Sequence, residues 1–477
     1  MRVLRRSPLL IAAVALAAVA GIALRIASLR GAYGASDSDE AVWALMSRHV
    51  LDGEFPVYFW GQGYGGTIEV YLAAPLVWAF GGGLGAARAL ALLLTAVATW
   101  LVWVVGRRAL DPRRAAVAAA LFWVWPAYAA WKSSRVNGFY LSGQILGLLV
   151  ILLVLRLAER PRRRDALLFG LVLGLAAWQT LQVLPVLVPA LAWLAWRRRD
   201  AYRLAWLALP GLVLGSLPAL VVNVRNGWWF HWLAPGGGTY PSRLRGFLTA
   251  ALSQQLGVRV PFSLEWLVPA PLGLLAVAAA VVGAGVLLAR HRRDAIGLLA
   301  VVALGFPLVY ALSPYTWYVT EPRYLFVLAP VIALLAAVPL GDPRVAAVAL
   351  VGVVTLSLVG MRAMGRGDTF AGRNGNVTMP ADIRPIVAAL DERHITRAVS
   401  EYWLTYRIVF ATRERIVLGN ASDDHFARFR DAVAAAGPSV PHVYVTGSPD
   451  ERRARARLEQ NGYERRTFGG FALWTRS

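Results

Sequence analysis

The sequence predicts a polytopic α-helical membrane protein that ends in a small α/β domain. Three observations carry this. The 477 residues are 58% hydrophobic with a mean hydropathy of +0.53, and only 16% are charged, where a soluble chain carries about a quarter. Apolar runs long enough to span a bilayer recur from residue 8 to residue 360. Beyond residue 380 the pattern changes to alternating helix-like and strand-like pieces, the signature of a mixed α/β unit.

A spanning helix needs about 20 apolar residues. The runs 8–29, 83–106, 115–131, 137–157, 166–180, 182–196, 203–222, 266–289, 295–312, 323–340 and 344–360 therefore predict about eleven spans. The pair 166–180 and 182–196 also reads as one kinked helix, broken near Pro185 and Pro189. The N-terminal 29 residues have the charged start and Ala-rich core of a signal peptide, but the apolar run is long enough to cross, which favours an uncleaved first span.

The formal charge of +22 comes from 49 basic and 27 acidic residues, and every basic residue except Lys132 is Arg. They fall in short clusters: Arg2/Arg5/Arg6, Arg107/Arg108/Arg113/Arg114, Arg160/Arg162/Arg163/Arg164, Arg197/Arg198/Arg199 and Arg290/Arg292/Arg293. With two spans between 166 and 196, all of these share one side, which the positive-inside rule makes cytoplasmic. Such scattered clusters form no nucleic-acid patch. The chain has no Cys, which excludes disulfides, thiolate catalysis and Cys-bound metals.

The expected organisation is a membrane unit over 1–362, a Gly/Arg/Asn-rich linker over 363–379 and an extracytoplasmic α/β domain over 380–477. The tail reads as helix over 382–394, 424–436 and 450–460, and as strand over 397–400, 415–418, 442–446 and 468–474. The outer side also holds loops 30–82 and 223–265.

Loop 30–82 opens on Ser36-Asp37-Ser38-Asp39-Glu40. Ser36 or Ser38 suits a helix N-cap, with the acids favoured in the first turn by the helix dipole. The apolar positions Val42, Leu45, Met46 and Val50 follow helical spacing and predict a helix lying along the membrane interface. Capping alone does not explain three carboxylates beside a bilayer. A carboxylate there can serve as general base on a hydroxyl, and Asp37, Asp39 and Glu40 are the candidates. With His49 they also offer ligands to a divalent cation, which the spacing permits but does not demand.

Further on, Gly61-Gln62-Gly63-Tyr64-Gly65-Gly66 lacks the ending of a phosphate-binding P-loop. Gln62, Tyr64 and Glu69 suit a sugar instead, through hydroxyl hydrogen bonds and ring stacking. Cations are scarce on the outer side. Lys132, Arg135 and Arg323 are candidates to clamp a phosphate or to meet lipid headgroups; Glu321 and Tyr324 flank the last. The sequons at Asn376 and Asn420 read as chance matches.

Asp39-Glu40, Asp52-Gly53, Glu69-Val70-Tyr71-Leu72, Phe80-Gly81 and Glu321-Pro322-Arg323-Tyr324-Leu325 together resemble the GT-C superfamily of integral membrane glycosyltransferases, in the style of the protein O-mannosyltransferase and aminoarabinose transferase group. The resemblance covers about residues 8–340. It implies transfer of a sugar, with inversion, from a polyprenyl-phosphate carrier to an acceptor hydroxyl on a cell-envelope glycan, lipid or protein at the outer face of the cytoplasmic membrane. It also implies Asp39 as base, with Asp37 as its rival. Lys132 or Arg323 would stabilise the leaving phosphate, and Trp123, Trp125 and Trp131 would line a groove for the lipid tail. Two other readings stand beside it. A flippase or transporter would use polar groups at mid-bilayer depth, for which Gln144 and Gln179 are the candidates. A surface-polysaccharide polymerase or ligase would dispense with Asp39.

Overall fold

The computed structural model describes all residues except 1–6, 31–33, 137, 228–236, 367–372, 375–376, 420–425 and 477. The Arg2/Arg5/Arg6 cluster, the Asn of both sequons and much of the linker lie outside the described residues. The helices of the membrane unit are α1 (Pro8–Ser28), α2 (Ser38–Leu51), α3 (Ile68–Ala79), α4 (Leu84–Ala109), α5 (Pro112–Val124), α6 (Ala127–Lys132), α7 (Tyr140–Glu159), α8 (Arg163–Gln179), α9 (Leu184–Arg197), α10 (Ala205–Arg225), α11 (Tyr240–Gly246), α12 (Leu252–Gln255), α13 (Ala270–Arg290), α14 (Ala295–Tyr310), α15 (Ala329–Ala337) and α16 (Pro343–Arg366).

A helix falls in each of the eleven expected segments. Among the described residues, six helical stretches are long and apolar enough to cross a membrane: Pro8–Ser28, Leu84–Ala109, Tyr140–Glu159, Arg199–Arg225, Ala270–Arg290 and Pro343–Arg366. The other segments are shorter. The expected run 115–131 is divided, because Pro126 interrupts it and the chain restarts as α6. The run 323–340 opens as a 3₁₀ turn (Arg323–Leu328) before α15. Outward-facing Leu214, Leu275 and Val348 are 62%, 63% and 72% exposed; lipid, not water, suits such a surface.

The short pair is two helices with a reversal between them. The start of α8 meets the end of α7 through Asp165 and Arg156, 2.6 Å apart. Its last residue, Gln179, donates to Ser142 at the start of α7 (2.8 Å). Helix α9 then returns, and Arg198 just beyond it donates to Glu159 O (2.7 Å).

Helices α8 and α10 meet along a glycine seam. A Cβ added at Gly170 would lie 1.9 Å from Ala208 O, one at Gly211 2.3 Å from Leu167 O, and one at Gly215 2.4 Å from Leu171 O. Without a hydrophobic drive between helices in lipid, close backbone approach of this kind is what holds them.

The tail is a five-stranded mixed sheet with helices. After a short ladder of β1 (Arg373–Asn374) and β2 (Val377–Thr378) come α17 (Arg384–Glu392), β3 (Arg397–Ser400), α18 (Tyr402–Ala411), β4 (Val417–Gly419), α19 (Ala427–Ala434), β5 (His442–Val445), α20 (Pro449–Gln460), β6 (Tyr463–Phe468) and β7 (Phe471–Arg476). The order is β4-β3-β5-β7-β6. β3 pairs in parallel with β4 and β5, and β7 pairs antiparallel with β5 and β6. Four elements were not expected from sequence: β1 and β2, which fall within the expected linker, and α18 and β6.

Helix α2 departs from expectation in its setting. Ala41 to Met46 are all within 1% of complete burial, so the helix does not lie on a lipid surface. α3 covers one side and α18 of the tail covers the other, and its residues share one core with Leu404, Ile408 and Val409. The first outer loop therefore packs as much with the tail as with the membrane helices.

The glycine seam generates a stability expectation. Gly211→Leu should force α8 and α10 apart and lower stability by roughly 1–3 kcal/mol, the usual cost of overpacking. Thermal melting of the purified protein measures this, and an unchanged transition would contradict the seam.

Candidate active site

The acidic opening of α2 is built from its N-cap. Asp37 occupies the cap, not Ser36 or Ser38, and its Oδ1 accepts from Glu40 N at 2.8 Å. Asp37 Oδ2 lies 3.6 Å from Arg135 Nη2. Ser38 instead donates to Tyr402 O (2.5 Å).

Glu40 is fully buried. Arg88 holds it with two bonds, Nε to Oε1 (2.8 Å) and Nη2 to Oε2 (2.6 Å). Arg135 adds a third, Nη2 to Oε2 (3.0 Å). The same two arginines also donate to the carbonyls of Gly34 and Ala35. Burial works to raise the Glu40 carboxyl, but the charges of Arg135 and Arg88 outweigh it and hold the group below its ordinary value. Glu40 is thus an anchor with both oxygens engaged, and Arg135, at 2% exposure, is its partner and not an open phosphate clamp.

Asp39 differs. It is only half-buried in accessible surface, though protein surrounds it. Its Oδ1 accepts from the Tyr402 hydroxyl at 2.5 Å. Burial, then the negative charge of Asp37, push its carboxyl above the ordinary range. The Tyr402 bond and the charges of Lys132 and Arg323 oppose that rise.

Lys132 and Arg323 meet at Glu321. Lys132 Nζ lies 3.2 Å from Glu321 Oε1 and Arg323 Nε 3.3 Å from Oε2. Tyr128 also donates to Glu321 Oε1 (2.6 Å). The Arg323 guanidinium sits 4.7 Å from the Tyr318 ring centre and 5.6 Å from that of Tyr324. Tyr64, exposed at the same place, is within electrostatic reach of Asp39, Arg323, Tyr315 and Tyr324. One region therefore gathers Asp39, Lys132, Glu321, Arg323, Tyr64 and Tyr324.

Several expected residues are used elsewhere. Glu69 is buried and accepts from Ser142 N and Oγ (2.9 and 2.6 Å), which pins α3 to α7. Gln62 is half-buried in a turn, with its backbone N–H donated back to Phe59 O. His49 lies at the far end of α2, about 14–18 Å along the axis from the three acids at 1.5 Å per residue, between Glu54 (3.1 Å) and Glu414 (3.0 Å). The divalent-ion set drawn from Asp37, Asp39, Glu40 and His49 is therefore not assembled. Trp123 and Trp125 donate to Ala18 O and Leu256 O, and Trp131 is buried in the helix core; these rings pack helices together instead of lining an open groove.

Two functional residues escaped the sequence reading. Arg88 sits in the first turns of an apolar span, where it reads as an isolated charge. Its signal was its position, since a charge there needs a named partner. Tyr402 carries no local signal at all.

Breaking a buried ion pair from one side leaves a charge without compensation, which costs about 3–5 kcal/mol. Glu40→Ala should therefore lower the melting temperature sharply, because Arg88 and Arg135 are left facing each other, whereas Asp39→Asn should leave it nearly unchanged. Equal melting of the two variants would overturn the division of labour between these neighbours.

The family model described as dolichyl-phosphate-mannose-protein mannosyltransferase matches residues 70–229. No curated protein matches the sequence significantly. Among solved structures, the chain is similar to ArnT from Cupriavidus metallidurans bound to undecaprenyl phosphate, at 15% identity and a TM-score of 0.63, with 97% of each chain covered. It is also similar to the Archaeoglobus fulgidus oligosaccharyltransferase in complex with Zn and sulfate, at 12% identity and a TM-score of 0.51, covering 98% of this chain and 73% of that one. The mycobacterial arabinofuranosyltransferase AftD gives 16% identity and a TM-score of 0.52 over 97% of this chain and 39% of its own. With its multi-pass architecture, the chain has the fold of the GT-C membrane glycosyltransferases, the superfamily that its Asp-Glu and Glu-x-Arg-Tyr-Leu motifs resemble.

Proposed function

We propose that the protein is an inverting glycosyltransferase that moves a sugar from a polyprenyl-phosphate carrier to an acceptor hydroxyl, with Asp39 as general base. The observation that supports this best is the different fate of three adjacent acids. Asp37 spends an oxygen on the helix cap, and Glu40 spends both on arginines. Among the described residues Asp39 is bound to no arginine, and it lies within electrostatic reach of Lys132 and Arg323. A carboxylate next to two cations suits a reaction in which a proton leaves an alcohol while a phosphate departs.

In this reading Asp39 accepts the acceptor's hydroxyl proton as that oxygen forms its bond to the anomeric carbon. The bond from that carbon to the phosphate oxygen breaks with its electron pair, and the carrier phosphate leaves with the negative charge. Arg323 and Lys132 take up that charge. Glu321 holds both cations between turnovers, and Tyr64 and Tyr324 offer faces and hydroxyls to the sugar.

The two ends of α7 support an orientation in the bilayer. Asp39 and its cations gather at the Tyr140 end, where the Lys132 ammonium faces the Tyr140 ring at 4.9 Å. Arg108, Arg156 and Arg198 gather at the Glu159 end, about 30 Å away for a helix of this length. In this reading the positive-inside rule makes that second end cytoplasmic and puts the site at the outer face of the cytoplasmic membrane, with the eleven helical segments as the proposed crossings. ArnT bound to undecaprenyl phosphate supports the donor class. The polar groups of the transporter reading are engaged in helix packing, Gln144 donating to Phe326 O (2.7 Å) and Gln179 to Ser142, which favours the transferase reading over it.

The test uses the full chain in lipid vesicles with a panel of polyprenyl-phosphate sugars, reading release of the polyprenyl phosphate. Asp39→Asn should cost at least about 100-fold in rate with donor binding retained. Arg323→Ala should weaken donor binding by about tenfold, the loss of roughly one charged hydrogen bond. Asp39→Asn activity within a few-fold of wild type would remove the acid from the mechanism.

A further inference from the structure

The tail domain reaches the proposed base directly. α18 starts at the carboxyl end of β3, in the parallel part of the sheet, where α/β folds place their ligand-contacting residues. The first residue of α18 is Tyr402. Its hydroxyl donates to Asp39 Oδ1 (2.5 Å), and its carbonyl accepts from Ser38 Oγ (2.5 Å). Two bonds from one residue therefore seat on two consecutive residues of α2, across a sequence separation of 363.

The latch has support on the same surface. Arg48 donates to Phe410 O (3.0 Å) and lies 3.9 Å from the Phe410 ring centre. Trp60 stacks on Phe426 at 3.9 Å. Glu54 pairs with Arg428 at 2.6 Å. The tail domain is thus seated along the whole length of α2, and Tyr402 stands at the catalytic end of that seat.

We propose that Tyr402 is a positioning residue for the general base: it fixes the Asp39 carboxylate through Oδ1 and leaves Oδ2 to receive the acceptor proton. This rests on the role given to Asp39 above. The phenol acts as a donor and not as an acid, because burial and the neighbouring charge of Asp39 push its own ionisation far upward. The groups that face Asp39 from the packed elements are Asp37 on its own helix, Tyr402 on α18, Lys132 on α6, Arg135 in the loop after α6, Tyr140 at the start of α7, Tyr64 in the glycine-rich turn and Arg323 on the 3₁₀ turn before α15. Asp37 disfavours the carboxylate form, whereas Tyr402, Lys132 and Arg323 favour it. Tyr402 is the one of these that comes from the tail, so the chemistry of the membrane unit depends on a domain outside it.

The sign of the effect is definite. The base works ionised. Removing a donor from a carboxylate raises its pKa, so the acid limb of activity moves to higher pH. A stronger donor moves it lower.

The experiment reads Asp39 by infrared titration of the full-length protein in lipid nanodiscs, with its band assigned by difference against Asp39→Asn. Tyr402→Phe should raise the titration midpoint by about one pH unit, the worth of a hydrogen bond to a charged group. Replacing Tyr402 with a fluorinated tyrosine, a stronger donor with almost unchanged shape, should lower it. This second arm decides the matter if the Phe variant does not fold. The acid limb of donor consumption should shift in the same directions. A midpoint that neither substitution moves would overturn the proposal. If the midpoints move but Asp39→Asn still consumes donor at the wild-type rate, the positioning of Asp39 stands and its catalytic role falls.

Discussion

The site depends on one buried ion cluster. Glu40 meets Arg88 from α4 and Arg135 from the loop after α6, and all three are nearly or fully buried. Charges placed at that depth stabilise a fold only when fully paired, so the cluster admits one arrangement of three distant segments. It fixes the rotation of α2 about its axis. Once Glu40 is turned into the protein, the helical step of about 100° per residue turns Asp39 to a different face, toward Lys132, Arg323 and Tyr402. The anchor and the proposed base are neighbours in sequence because one orients the other.

A second consequence concerns where cations are free to act. Sequence reasoning sorted outer-side cations by scarcity alone, and so put Arg135 with Lys132 and Arg323. The structure separates them by partner. Arg135 is consumed by Glu40 and the Ala35 carbonyl. Lys132 and Arg323 pair with the same carboxylate, Glu321, with Asp39 within their electrostatic reach. Two cations sharing one ion-pair partner can turn toward an arriving phosphate.

Much of the fold was legible in the sequence because its causes are local. Apolar runs mark helices, Arg clusters mark one end of them, and strand 397–400 was read to its residue limits. The site was legible in part. The acids and cations were named, but their pairing was not, since Glu40 and Arg88 are 48 positions apart and Glu40 and Arg135 are 95. Helix α18 was missed for a physical reason. Its sequence, Tyr-Trp-Leu-Thr-Tyr-Arg-Ile-Val-Phe-Ala, is aromatic and β-branched, a composition that favours strands in isolation; the helix forms because one face buries against α2. Local propensity could not report a contact that exists only after the tail has docked.

The shared core of α2 and α18 also sets an order in time. Residue 39 leaves the ribosome early, and Tyr402 follows 363 residues later. At about 5–20 residues per second, the helix that carries the acid waits roughly 20–70 s for its cover. Until then a stretch of wholly apolar side chains has no place to hide except against the lipid or a chaperone. Nascent chains cut short before α18 would carry every residue of the membrane unit and still leave the apolar face of α2 without its cover.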